Sequence, residues 1–133
     1  MIELYSTNVA VTVNTEIPFN NVALKKGDYV TLSGAATLQF NHCGVYELDC
    51  HGVVTGTGDI VIEVTKDNVI LPQTVMTITG ADPVLTPFAF KTLIQVSRNN
   101  GPKCCQSPVE VKIMNAGVEA TYDLIDVSVT KVC

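Results

Sequence analysis

The chain has 133 residues, which suits one globular unit, residues 1–133, and leaves no room for a second full domain. Hydrophobic residues make up 47% and charged residues 16%, with a mean hydropathy of +0.30, which excludes intrinsic disorder. Eight Lys and Arg against thirteen Asp and Glu give a formal charge of −5, so no cationic field exists to neutralise phosphates and nucleic acid is excluded as a partner.

Period-two alternation recurs along almost the whole chain and sustained helical spacing does not, which predicts a nearly all-β fold. Val9, Val11 and Val13 share one face of a first strand. Ile17-Pro18-Phe19 opens a short segment in which Pro18 forbids a central ladder position, so it is an edge or a crossing. After the turn Lys25-Lys26-Gly27-Asp28, residues 29–32 and 37–40 read as two short strands. Residues 44–54 carry the clearest pattern. Tyr46, Leu48, Cys50 and Val54 point inward, and Glu47, Asp49 and His51 point to a wet side.

Ile60, Ile62 and Val64 face the core from the next strand, and Lys66-Asp67-Asn68 makes a tight hairpin in which Asn68 suits positive φ. Pro72 stops Val69-Ile70-Leu71, and residues 75–79 form another short strand. Phe88, Phe90, Thr92, Ile94 and Val96 line one side of a longer core strand. Residues 97–108 are a loop, rich in Gly, Pro and Asn, that contains Cys104-Cys105. Val109, Val111 and Ile113 form a strand, and residues 118–132 complete the sheet with a bulge between Leu124 and Ile125, where the alternation shifts. About ten short strands and no helix predict a sandwich or barrel.

No apolar run approaches the roughly 18 to 20 residues that span a bilayer, so membrane insertion is not expected. Met1-Ile2-Glu3-Leu4-Tyr5 lacks the basic and apolar regions of a signal peptide, so folding in the cytosol is expected, with thiols reduced. Five Cys is an odd count, so at least one thiol is free, metal-bound or paired with another chain.

Several stretches resemble the jelly-roll domains of the tumour necrosis factor and complement globular-head superfamily, including heads of collagen-like spore-surface proteins. These are Ile17-Pro18-Phe19, Cys43-Gly44-Val45-Tyr46-Glu47-Leu48, the hairpin Lys66-Asp67-Asn68-Val69-Ile70-Leu71-Pro72, and Val111-Lys112-Ile113-Met114-Asn115-Ala116-Gly117 followed by residues 124–132. The whole chain is also similar to short proteins of Firmicutes phages and prophages. The shared features are the Met1-Ile2-Glu3-Leu4-Tyr5 opening, Ile17-Pro18-Phe19-Asn20-Asn21-Val22, a Cys-rich loop before Ser107-Pro108 and the terminal Val129-Thr130-Lys131-Val132-Cys133. The resemblance implies a jelly-roll homotrimer that presents a surface on a virion or fibre, and it implies no chemistry and no cofactor. There is no Gly-X-Y stalk.

The residues carry little catalytic promise. Only His42 and His51 offer imidazole bases, and no nucleophile elbow, zinc-protease, Walker or dinucleotide pattern occurs. Glu47 and Asp49 share a strand side, as carboxylates on a solvated sheet ordinarily do, and the sequence supplies no cleft for a glycosidase pair. Cys43 and Cys50 are seven residues apart, about 23 Å along an extended strand, so they share neither an ion nor a disulfide. A threefold axis would bring copies of Cys104, Cys105 or Cys133 together as interchain disulfides or a thiolate site. The acidic turn Thr55-Gly56-Thr57-Gly58-Asp59 has one carboxylate, too few for calcium. Ala89, Leu93 and Val61 add apolar side chains opposite the core faces, and these should be covered by association.

The expected function is therefore a non-enzymatic phage or prophage structural protein that decorates a capsid, heads a fibre or serves in tail adsorption. It would assemble in the bacterial cytoplasm into a virion, with other virion proteins or a host-surface ligand as partners. Arg98, Asn99, Asn100, Lys103 and Gln106 are the expected contact residues of its outer loop. The alternative is a carbohydrate-binding module or small sugar-acting protein on the same fold. Trp is absent, and Tyr46 and Tyr122 are expected inside, which leaves Tyr5 and Tyr29 as sugar platforms.

Overall fold

The computed structural model describes residues 1–96 and 108–132. Within them the elements run, in chain order, β1 (Ile2–Val11), β2 (Thr15–Glu16), β3 (Asn21–Lys25), β4 (Val30–Ser33), β5 (Thr37–Phe40), β6 (Gly44–Thr55), β7 (Gly58–Lys66), β8 (Val69–Ile70), β9 (Met76–Gly80), β10 (Thr86–Val96), β11 (Val109–Asn115) and β12 (Ala120–Lys131). One 3-10 turn, Pro72–Thr74, separates β8 from β9. A front sheet runs β10-β6-β12-β1-β3, and a back sheet runs β4-β5-β11-β7-β8, with β2 on β11 and β9 on β7. Every pairing in both sheets is antiparallel. The two layers form a β-sandwich, one of the two architectures the alternation predicts, of the jelly-roll type that the resemblance implies.

The core lies between the layers. Tyr46, Leu48, Cys50 and Val54 of β6 are fully buried, as are Ile60, Ile62 and Val64 of β7 and Val111 and Ile113 of β11. Each large aliphatic side chain so buried contributes about 1.5 to 3 kcal/mol. Asn115, buried at the end of β11, is completely satisfied. Its Nδ2 donates to the carbonyls of Val11, Thr12 and Val118 at 3.2, 3.2 and 3.0 Å, and its Oδ1 accepts from the Tyr122 hydroxyl at 2.8 Å. That network ties β1 to both closing strands without leaving a polar atom stranded.

The 17–20 segment is a crossing. β2 pairs in the back sheet and β3 in the front, and between them Ile17 and Phe19 drop into the core. The freed backbone is satisfied by Ser6, whose Oγ donates to the Pro18 carbonyl and accepts from Asn20 N–H, both at 2.8 Å. The hairpin after β7 turns on Asp67 and Asn68 at φ 50° and 65°, a pair of positive values that matches the strand twist.

Four expectations are corrected. Val13 lies past the end of β1 and is 51% exposed, because the strand starts earlier and Ile2, Leu4 and Ser6 supply its buried side. β3 was not expected as a strand, since all five of its residues are exposed and show no alternation. The described strands number twelve, not ten. The bulge in β12 falls between Tyr122 and Leu124, before the expected site, and the extra residue there lets both Tyr122 and Ile125 face inward.

Gly52 of β6 pairs with Ile125 beside that bulge, and a Cβ at Gly52 would collide with the Leu124 carbonyl oxygen. Gly52→Ala should therefore cost about 3 kcal/mol or more, at the upper end for overpacking, read as a lowered urea midpoint with secondary structure retained before the transition.

Candidate functional site

Among the described residues the outward side of the front sheet is uncovered, as is that of the back sheet. Strand register organises the front one into rows. Pro87, Val53, Leu124 and Thr7 make the first row, and Ala89, His51, Asp126, Tyr5 and Asn21 the second. Lys91, Asp49, Ser128, Glu3 and Leu24 make the third, and Leu93, Glu47 and Thr130 the fourth. Apolar side chains thus occupy one end and the outer strands, with Leu93 59% exposed on β10 and Leu24 also exposed on β3. Carboxylates occupy the middle.

Asp126 is the most crowded of them. It stands directly opposite His51 and Tyr5, and diagonally between Glu3 and Asp49. Partial burial, a side-chain hydrogen bond with Glu3 and the Glu3 charge push its carboxyl up to about 6; His51 opposes the shift and Asp49 adds to it. A hydrogen bond between two carboxyl groups needs one proton, and the raised Asp126 carboxyl supplies it. Lys91 reaches Glu47 rather than this trio, at 3.5 Å.

The other candidate positions separate. His42 does not meet His51; its Nε2 lies 3.5 Å from an Asp28 carboxylate oxygen and its ring meets Tyr29 edge-on at 4.7 Å. Lys131 Nζ sits 4.6 Å over the Tyr29 ring, so this 40%-exposed aromatic is already occupied by the chain's own cation. Tyr46 and Tyr122 are fully buried, as expected. Cys50 is a buried free thiol, pushed up by burial and by the Asp126 and Asp49 charges, and is inert at neutral pH. Cys43 is disulfide-bonded, which corrects the expectation of reduced thiols.

At one end of the sandwich an open cleft of about 390 Å³ is lined by Thr55, Gly56, Thr57, Asp82, Val118, Glu119, Ala120 and Thr121. Sequence analysis missed it, because its two acids come from different loops. Both belong to exposed residues, so it holds no desolvated carboxyl of the kind acid catalysis uses. Among the described residues no group of three or more His, Cys, Asp and Glu is placed to hold a metal ion. Arg98, Asn99, Asn100, Lys103, Cys104, Cys105, Gln106 and Cys133 lie outside the described residues.

No family model matches the chain, and no curated protein matches it. Solved structures do. The globular domain of zebrafish complement 1qA superposes with a TM-score of 0.71 at 12% identity, over 99% of this chain and 96% of that one. Vertex protein P5 of PRD1 gives 0.64 at 16% identity, over 99% and 96%, and murine APRIL gives 0.64 at 9%, over 98% of each. These likenesses show the fold, a jelly roll of the tumour necrosis factor and complement type. Among the described residues no helix is long and apolar enough to cross a membrane.

The Asp126 environment sets a pH dependence. Its folded-state value is above the usual ~3.9 of an unfolded aspartate, so its contribution is present in full below about pH 4 and is lost as pH rises through about 6. Asp126→Asn should raise the melting temperature by a few degrees at pH 8 and leave it unchanged near pH 4, read by thermal scans at both values.

Proposed function

We propose that the chain is a non-enzymatic structural module of a phage or prophage virion, and that it acts as a homotrimer closed by the outward side of the front sheet. The observation that carries this reading is the uncovered surface itself. Ala89 and Leu93 on β10 are exposed, and Val53 on β6 and Leu124 on β12 half-exposed, on the outward side of the sheet among the rows of Asp49, Asp126 and Glu3. Apolar side chains exposed on an ordered sheet suit a protein contact, and cyclic closure is the common way to cover them without forming fibres.

Two further observations support the reading. The likeness to the PRD1 vertex protein is a likeness to a virion component. Among the described residues the carboxylates Glu47 and Asp49 stand on an open strand surface, which supports a role in contact. The copies would leave the loops at the sandwich ends free to decorate a capsid, head a fibre or touch a host-surface ligand. The carbohydrate-binding alternative is weakened by Lys131, which occupies the Tyr29 ring a sugar would need.

Light scattering at micromolar concentration should give three times the 14.3 kDa chain mass. The uncharged double variant Ala89→Gln, Leu93→Gln alters two exposed side chains and should give folded monomers with an unchanged circular dichroism spectrum. A wild-type monomer, or a trimer indifferent to the double variant, contradicts the assignment.

A further inference from the structure

The acids of the front sheet belong to the contact between copies, and the Tyr29 ring is taken by Lys131. The cleft at the sandwich end has neither role. Thr55 and Thr57 come to it from the end of β6 and the turn that follows, Asp82 from the β9–β10 connection, and Val118, Glu119 and Thr121 from the β11–β12 connection and the start of β12. Thr55 and Thr121 are a cross-strand pair, so two hydroxyl-bearing residues stand side by side in the lining.

The loops that form the cleft are fixed against one another by approaches that only glycine permits. A Cβ at Gly80 would collide with the Gly56 carbonyl oxygen, and one at Gly117 with the Asp59 carbonyl oxygen and the Val61 nitrogen. Val118 in the lining donates its N–H to the Asp59 carbonyl at 3.1 Å, and its own carbonyl accepts from Asn115 Nδ2 at 3.0 Å. The cleft is thus shaped in the single chain, and ordering its walls costs a ligand little. Its volume of about 390 Å³ lies within the range of small-molecule sites.

The polar groups of the lining select by what they lack. Ionised Asp82 and Glu119 only accept hydrogen bonds, and neither has an ion-pair partner among the described residues. No Lys, Arg, His or aromatic residue lines the cleft, so an anion is disfavoured and a stacked ring has no platform. The Thr55 hydroxyl oxygen is shut off from solvent and has no hydrogen-bond partner, the one such side-chain atom among the described residues. A stranded hydroxyl destabilises the free protein, and a turn about the Thr55 Cα–Cβ bond offers it to a ligand. The missing partners are donors. A primary ammonium brings three of them, and each sugar hydroxyl brings one.

Resting on the reading of a surface module whose end loops touch a host-surface ligand, we propose that this cleft binds an amino sugar with an unsubstituted amine. Its ammonium sits on Asp82 and Glu119, its hydroxyls on Thr55, Thr57 and Thr121, and its C–H face on Val118. Carboxylates hold such a group without an aromatic platform, so the occupied Tyr29 ring does not bear on it.

The test is titration of the ¹⁵N-labelled chain at pH 7 with glucosamine, N-acetylglucosamine and butylamine, followed by amide chemical shifts. Glucosamine should shift the amides of Thr55, Thr57, Glu119 and Thr121 with a dissociation constant of about 1 to 10 mM. N-acetylglucosamine keeps the hydroxyls and loses the charge, butylamine does the reverse, and each should bind at least about fivefold more weakly. Glu119→Gln and Asp82→Asn should each weaken glucosamine about two- to fivefold. Thr55→Val should weaken it as well while raising the urea midpoint of the free protein, and Thr55→Ser should retain binding. Equal affinities for the three probes, shifts confined to other parts of the chain, or unchanged binding in Thr55→Val overturn the inference. Light scattering on the same samples keeps the two readings apart. A monomer that binds glucosamine in the cleft overturns the trimer and leaves the ligand standing, and a trimer that does not bind it overturns the ligand alone.

Discussion

A pleated strand turns neighbouring side chains to opposite sides, and β6 is where that constraint decides the molecule. It lies between β10 and β12 in the front sheet, paired along most of its length with both. Its inward residues Tyr46, Leu48, Cys50 and Val54 are wholly shielded, so Glu47, Asp49, His51 and Val53 have only the outward side to occupy. A slip of one residue would bury two carboxylates and an imidazole. β12 obeys the same rule only because its bulge resets the phase between Tyr122 and Leu124, and Gly52 makes room for the displaced Leu124 carbonyl.

The surface generated in this way is neither a typical solvated sheet nor a core. Its central acids are half-buried by their own neighbours, and mutual repulsion raises the cost of ionising Asp126. A monomer would gain by spreading such charges apart. Holding them together beside Val53, Leu124, Ala89 and Leu93 has a physical use when another copy packs on them. The fold likeness to complement, tumour necrosis factor and vertex proteins shows the sandwich, and the row pattern of this chain's own residues supports its use as a contact between copies.

Much of the sandwich was legible in the sequence where one strand carries its own alternation. β6, β7 and β10 read correctly because each alternates apolar and polar side chains over several residues, and the β7–β8 hairpin announced itself through Asp67-Asn68. β1 was misplaced because its buried side includes Ser6, a hydroxyl that reads as surface until its two bonds to residues 18 and 20 are seen. β3 has no buried side to betray it. The acidic centre was beyond any linear reading. Glu3 and Asp126 lie at opposite ends of the chain and meet only through the β1–β12 register. Glu47 and Asp49 were visible as a same-side pair, and the third strand that gives them a neighbourhood was not.

The central claim, that copies of the chain cover the outward side of the front sheet, is tested most directly by thiol labelling of Ala89→Cys. Ala89 is exposed on that side in a single chain, and Thr77→Cys on β9 of the back sheet serves as the exposed control, with the parent protein's own labelling subtracted. The account predicts that Ala89→Cys reacts at least about tenfold more slowly than Thr77→Cys at micromolar concentration, and that dilution to monomers removes the difference. Equal rates for the two positions in undiluted protein would contradict it.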